Sequence, residues 1–211
     1  MKKIFILLLI CSAAYAQSDV RALLNSEQSI EELLLNNPDL LTEQDKNGDS
    51  LLHSAIFYKK ADIVQLLLYK GALCSIANKS QQTPLHYAVY IENSDIVILL
   101  IQSGADLQAG DKEQSTPLHY AARSNKESVI ATLLLQAGAM LDQKNIYSAT
   151  PLHVAVFAGN YILAQYLLEQ GAEVNMPDRF GTVPLETAQI FGHKDLEALL
   201  IQHGAQLPQN I

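Results

Sequence analysis

Tryptophan is absent from the 211 residues and cysteine occurs twice, which excludes a disulfide-stapled scaffold and any four-cysteine metal site. Basic residues are scarce as well, 14 lysines and arginines against 22 aspartates and glutamates. A net charge of −8 repels phosphate backbones and anionic lipid surfaces, so nucleic acid is set aside as a partner and a neutral or basic protein is favoured. No glycine-rich phosphate loop, His-Glu-x-x-His, Gly-x-Ser-x-Gly or cysteine pair with metal spacing occurs. The chain therefore reads as a non-enzyme that needs no cofactor and no metal.

Long apolar runs are missing too. Only the start carries one, from Ile4 to Cys11, and it is far shorter than the roughly 20 residues of a permanent membrane span. Lys2 and Lys3 precede it and Ala14-Tyr15-Ala16 closes it, the layout of a secretory signal peptide cut after Ala16. Ile10, before Cys11, is too large for lipoprotein processing. The expectation is a bacterial protein in the periplasm or secreted, with no membrane insertion after cleavage. The mature chain would keep 12 basic and 22 acidic residues, a net charge of −10. It would keep one cysteine, Cys74, just after Gly71-Ala72 where other units carry Leu107, Leu141, Val174 and Leu207. That position predicts a buried, inert small hydrophobe.

What the chain has in plenty is repetition. Thr-Pro-Leu-His begins at Thr83, Thr116 and Thr150, with looser copies Ser50-Leu51-Leu52-His53 and Val183-Pro184-Leu185-Glu186, giving spacings of 33, 33, 34 and 33. Gly-Ala recurs in step at Gly71, Gly104, Gly138, Gly171 and Gly204. Threonine is a helix cap, and proline at the first helical position lacks an amide that would go unpaired there. Each tetrapeptide therefore starts a helix, and its histidine can reach back to the cap as in a capping box. A second helix follows, with apolar residues at helical spacing such as Ile63, Leu66 and Leu67, until Gly-Ala stops it.

Helices of about 8 to 10 residues are shorter than the roughly 12 to 15 at which an isolated helix becomes marginal in water. One unit cannot fold alone, and stacked hairpins merge their apolar faces into a shared core. The expected fold is all-α, a solenoid of stacked helix-turn-helix units joined by hairpin loops. His53, His86, His119 and His153 sit on successive layers about 8 to 10 Å apart, too far to share one zinc ion, so they read as structural. His193 and His203 also read as structural. Asp62, Asp95, Glu127 and Asp195 suit the first turn of the second helices.

The tetrapeptide, the 33-residue period and the closing Gly-Ala resemble the ankyrin repeat. Tetratricopeptide repeats share the period, but their Trp, Gly and Tyr pattern is missing. On the ankyrin pattern, residues 1–16 are the signal peptide, 17–45 a degenerate N-terminal capping repeat, and 46–211 five repeats at 46–78, 79–111, 112–145, 146–178 and 179–211. Departures from that pattern are informative. One extra residue falls near Ser124 to Lys126. The loop glycine survives as Gly48 and Gly181 but becomes Gln81, Gln114 and Ser148, which predicts looser turns. Val183 cannot cap with its side chain, so the last unit is expected to fray or to be capped by Thr182 or Glu186.

The resemblance implies a protein partner met by the hairpin tips and the ends of the first helices. Those ends hold Phe57-Tyr58, Tyr90-Ile91, Arg123-Ser124, Phe157-Ala158 and Ile190-Phe191, and the tips hold Tyr147 and Phe180. The candidate partner-binding residues are thus Phe57, Tyr58, Tyr90, Ile91, Arg123, Tyr147, Phe157, Phe180, Ile190 and Phe191. They hold seven of the twelve aromatic residues of the mature chain, and exposed aromatic patches mark interaction sites. The competing reading is that several of them fold back to fill gaps in the stack. The expected function is a monomeric protein-interaction module. An inhibitor or immunity protein for a toxic enzyme, and an effector acting on host proteins, are the alternatives.

Overall fold

Each Thr-Pro-Leu-His segment does start a helix in the computed structural model, which describes residues 27–124 and 129–208. The expected signal peptide and the start of the capping repeat lie outside the described residues, as do Glu127 and most of the inserted segment.

The helices gather into two units that meet in sequence at Asp106 and Leu107. The first begins with α1 (Glu27–Asn36) and a short 3₁₀ turn (Pro38–Leu41), followed by the hairpins α2 (Leu51–Phe57) with α3 (Ala61–Tyr69) and α4 (Pro84–Tyr90) with α5 (Ser94–Gln102). The second holds three hairpins: α6 (Pro117–Arg123) with α7 (Val129–Gln136), α8 (Pro151–Phe157) with α9 (Tyr161–Glu169), and α10 (Pro184–Phe191) with α11 (Lys194–Gln202). Apart from an isolated antiparallel bridge between Gln44 and Ser50, the described residues form no strand. Within each unit inner helices pack on inner helices, α2 on α4 and α6 on α8 on α10. Outer helices pack likewise, α1 on α3 on α5 and α9 on α11.

Small side chains make that close stacking possible. The fifth residue after each cap is alanine, as Ala55, Ala88, Ala121, Ala155 and Ala188, and all five are buried. Leucine two residues after the cap and aliphatic residues of the outer helices fill the layers between, among them Leu85, Ile96 and Leu100 in the first unit and Leu152, Leu163 and Leu167 in the second. This is the shared interior that the short helices require.

The caps follow one chemistry. In each of the first four repeats the backbone N–H of the capping Ser or Thr donates to histidine Nδ1, at 3.1 Å for Ser50 to His53, Thr83 to His86 and Thr116 to His119, and 3.2 Å for Thr150 to His153. The cap hydroxyl lies 2.9 Å from the same nitrogen in all four. With Nδ1 accepting, the proton sits on Nε2, which donates to the following loop: His53 to Gln82 O at 3.2 Å and His119 to Ala149 O at 3.0 Å. The histidines therefore cap their own helix, and His53 and His119 also tie theirs to the next repeat.

At the fifth repeat the expectation of fraying is corrected. α10 runs unbroken for 8 residues from Pro184, with Val183 at its cap position giving no side-chain hydrogen bond. Proline at the first position and Glu186 in the first turn, where the helix dipole favours an acid, replace the missing cap. Thr182 serves the preceding turn instead, its N–H donating to Asp178 Oδ1.

Cys74 is also corrected: it is half-buried rather than buried, and its thiol donates to Ser103 O at 3.4 Å. Burial nevertheless pushes that thiol up from its ordinary value, which keeps it in the unreactive form. None of the helices among the described residues is long and apolar enough to cross a membrane.

Candidate partner-binding cleft

Every hairpin tip is built on an aspartate or asparagine five residues before the helix cap: Asp45, Asn78, Asp111, Asn145 and Asp178. The side-chain Oδ1 of each accepts two backbone amides, those of the second and fourth residues on. Asp111, for example, takes Glu113 N at 2.8 Å and Ser115 N at 2.9 Å. Asn145 takes Tyr147 N and Ala149 N, and Asp178 takes Phe180 N and Thr182 N.

The third residue on adopts a left-handed conformation in all five turns, with φ of 82° at Gly48 and 83° at Gly181 but also 61° at Gln81, 58° at Gln114 and 55° at Ser148. The expected loosening at the three non-glycine turns is thus absent, because the Asx bonds hold them in the same shape. Tips are then linked edge to edge, Lys79 N to Asn47 O in the first unit and Ile146 N to Glu113 O and Arg179 N to Tyr147 O in the second.

In the first unit the inner face carries a polar network. Tyr87, four residues after its cap, donates its hydroxyl to Asp49 Oδ1 at 2.9 Å, and Asn78 Nδ2 donates to the same oxygen at 2.9 Å. The Tyr87 ring also meets His53 edge-on at 5.1 Å. Burial and the Asp49 charge push the Tyr87 hydroxyl above its ordinary range, so it stays a neutral donor. Of the predicted binding residues in this unit, Phe57 and Tyr58 form a T-shaped pair at 5.3 Å, Ile91 is half-buried, and Tyr90 stands 69% exposed.

The second unit carries a cleft of about 460 Å³. Tyr120, Val154 and Thr187 form its floor, one from each inner helix, at the register Tyr87 occupies in the first unit. Arg123, Phe157 and Ala158 border it from the helix ends, and Glu113, Tyr147 and Ala149 from the tips. Asp111, Asn145 and Asp178 stand at the turn side.

Of the six predicted binding residues in this unit, the cleft gathers Arg123, Tyr147 and Phe157. Phe191 joins through a T-shaped contact with Phe157 at 4.9 Å, and its other neighbour is His193, stacked at 6.2 Å. Phe180 joins through Arg179, whose guanidinium lies 4.8 Å from the centre of the Tyr147 ring and 4.6 Å from that of Phe180. Ile190 is exposed at 68%. The gap-filling reading holds in part for Phe157 and Phe191, which pack on each other yet remain 60% and 51% exposed.

The sequence reading missed Asp111, Glu113, Tyr120, Val154, Asp178, Thr187 and Arg179. The recurring Asp or Asn before each cap could have pointed to the acidic side. Val154 and Thr187 contribute by being small, which no motif reveals.

Among the described residues no group of histidine, cysteine, aspartate and glutamate is arranged to hold a metal ion. A family model for ankyrin repeats (3 copies) matches residues 12–111, 74–145, 108–178 and 139–210. With the hairpin architecture, that match places the chain in the ankyrin-repeat family, whose repeats form protein–protein interaction modules. A comparison with curated protein sequences returned no match.

Proposed function

We propose that this protein binds an extended segment or loop of a partner protein on the inner face of its second unit. The observation that carries this reading is the cleft itself, where Tyr147 and exposed Phe157 line an open volume of about 460 Å³ and Arg179, stacked on Tyr147 and Phe180, extends the aromatic face beside it. Rigid aromatic groups of this kind supply contact area at low entropic cost and dominate binding hot spots.

The signal-like start, Lys2-Lys3, the apolar run and Ala14-Tyr15-Ala16, supports export to the bacterial periplasm or beyond, so the partner would be an envelope or secreted protein. Recovery of the chain from the periplasmic fraction, starting at Gln17, tests that placement; a cytoplasmic chain retaining Met1 overturns it.

Capture from envelope extract tests the binding face. F157A and Y90A are compared with I162A, which removes an exposed side chain from outer helix α9. Capture that falls with F157A and survives I162A is expected. Y90A measures what the first unit adds. Equal capture by all three would refute the cleft as the docking face.

A further inference from the structure

Register along the inner helices explains the open space in the second unit. Four residues after the cap stand Tyr120, Val154 and Thr187. Tyr120 reaches across to its own turn and donates to Asp111 Oδ2 at 2.7 Å. Valine has no ring or hydroxyl to reach Asn145. Thr187 turns its hydroxyl back to Val183 O at 3.5 Å, away from Asp178. The missing rings leave the space between Tyr120 and Thr187.

The charge in that space leans acidic. Three carboxylates, Asp111, Glu113 and Asp178, line it with one guanidinium, Arg123, and a second guanidinium, Arg179, is held beside it on the Tyr147 ring. Asp111 is 8% exposed and both of its oxygens accept hydrogen bonds, so it is saturated. Asp178 is half-exposed and its hydrogen bonds to Phe180 and Thr182 both run through Oδ1.

His153 lines the same cleft, is 5% exposed, and has an Nε2 with no hydrogen-bond partner, unlike the equivalent nitrogens of His53 and His119. The backbone of Thr182, in the turn that carries Asp178, lies near enough to act on the His153 ring but gives Nε2 no well-formed hydrogen bond.

We propose that this cleft receives an arginine or lysine side chain from an extended segment of the partner. Asp178 supplies the counter-charge, and Tyr147 and Phe157 flank the aliphatic stem. The acidic balance of the chain, 22 acidic against 14 basic residues, draws a basic segment toward the site. The proposal rests on the docking reading above and adds the chemistry of the residue that is read.

Two substitutions separate the ideas, and each has a precedent at the same register elsewhere in the chain. D178N removes the charge but keeps the turn, because Asn78 and Asn145 hold the same turn elsewhere. V154Y fills the cleft with the residue found in register at Tyr87 and Tyr120. The probe is a library of nine-residue peptides with randomised flanks and a fixed central Arg, Lys, Gln or Glu, retained on the immobilised full chain.

Retention of Arg and Lys peptides should exceed that of Gln and Glu peptides by about tenfold or more, the scale of a charge-assisted hydrogen bond. D178N should abolish that preference, and V154Y should abolish retention. Equal retention of all four classes, or an undiminished preference in D178N, overturns the cationic assignment while leaving the docking reading intact if V154Y still blocks. If V154Y retains as much as the native chain, or nothing is retained at all, the docking reading fails with it.

Discussion

Replacing His119 with alanine should cost more than replacing His153, although both cap a helix in the same way. His119 is 1% exposed, its Nδ1 accepts from Thr116 N at 3.1 Å, and its Nε2 donates to Ala149 O at 3.0 Å. The substitution leaves the buried Thr116 N–H without its acceptor, a loss of about 1–3 kcal/mol. Breaking the inter-repeat bond adds about 1 kcal/mol, and the void left by a buried ring adds about 1 kcal/mol or more. The total is about 3–5 kcal/mol. Ala149 O still accepts from Asn145 N at 3.1 Å, which keeps the cost from rising further.

His153 makes the same cap bond to Thr150 N at 3.2 Å, but its buried Nε2 has no partner. H153A therefore loses only a weak contact with the Thr182 backbone and removes a buried donor that has no well-formed bond, so it should cost less than H119A by about 1 kcal/mol. Urea unfolding of the two variants, with the slope of the transition checked for constancy, reads the difference directly. An H153A midpoint equal to or below that of H119A, or an H119A loss under about 1 kcal/mol, would refute the division of labour among the four histidines.

Acidity offers a second test. Burial holds His53 and His153 below their ordinary value near 6.5, so the unfolded chain takes up a proton there before the folded one does. Stability should be full above pH 6.5 and fall as the pH drops below it, while Asp142, pushed up by burial, opposes the trend at lower pH. A urea midpoint that is flat or higher at pH 5.5 than at 7.5 contradicts this. G48A should lose about 1–3 kcal/mol, since a Cβ there would sit 2.6 Å from Lys79 N on a backbone with φ of 82°. Q81G, at the same place in the next turn, should change stability by less than about 1 kcal/mol, because the left-handed strain it relieves is offset by a freer unfolded chain; a loss matching G48A by thermal melt would sink the Asx-turn account.

The parts of the fold that were legible in the sequence are those decided by local chemistry. Thr116 and Pro117 announce a helix start within four residues, and Gly138 announces a stop, so the period and the hairpins followed from reading along the chain. The shape of the turns was not legible from Gln81, Gln114 and Ser148, because what replaces glycine there lies elsewhere in the turn. The left-handed residue is held by Asn78, Asp111 and Asn145 three positions earlier, and Asp and Asn alternate in that role.

The candidate cleft was legible where it depends on aromatic residues at the helix ends and tips, as at exposed Phe157 and half-buried Tyr147. It was not legible where it depends on space. The cleft exists because Val154 is smaller than Tyr120, and an absence of volume has no motif. Likewise the sandwich of Arg179 between Tyr147 and Phe180 joins residues 32 and 1 positions apart, a pairing set by the edge-to-edge bond of Arg179 N to Tyr147 O.

Hydrogen exchange on the full chain, measured with and without the partner captured from envelope extract, tests the central claim most directly. Binding in the cleft predicts added protection at the turns around Asp111, Asn145 and Asp178 and at the ends of α6 and α8, with outer helix α9 unchanged. Protection confined to α9 and α11, with those turns unaltered, would contradict it.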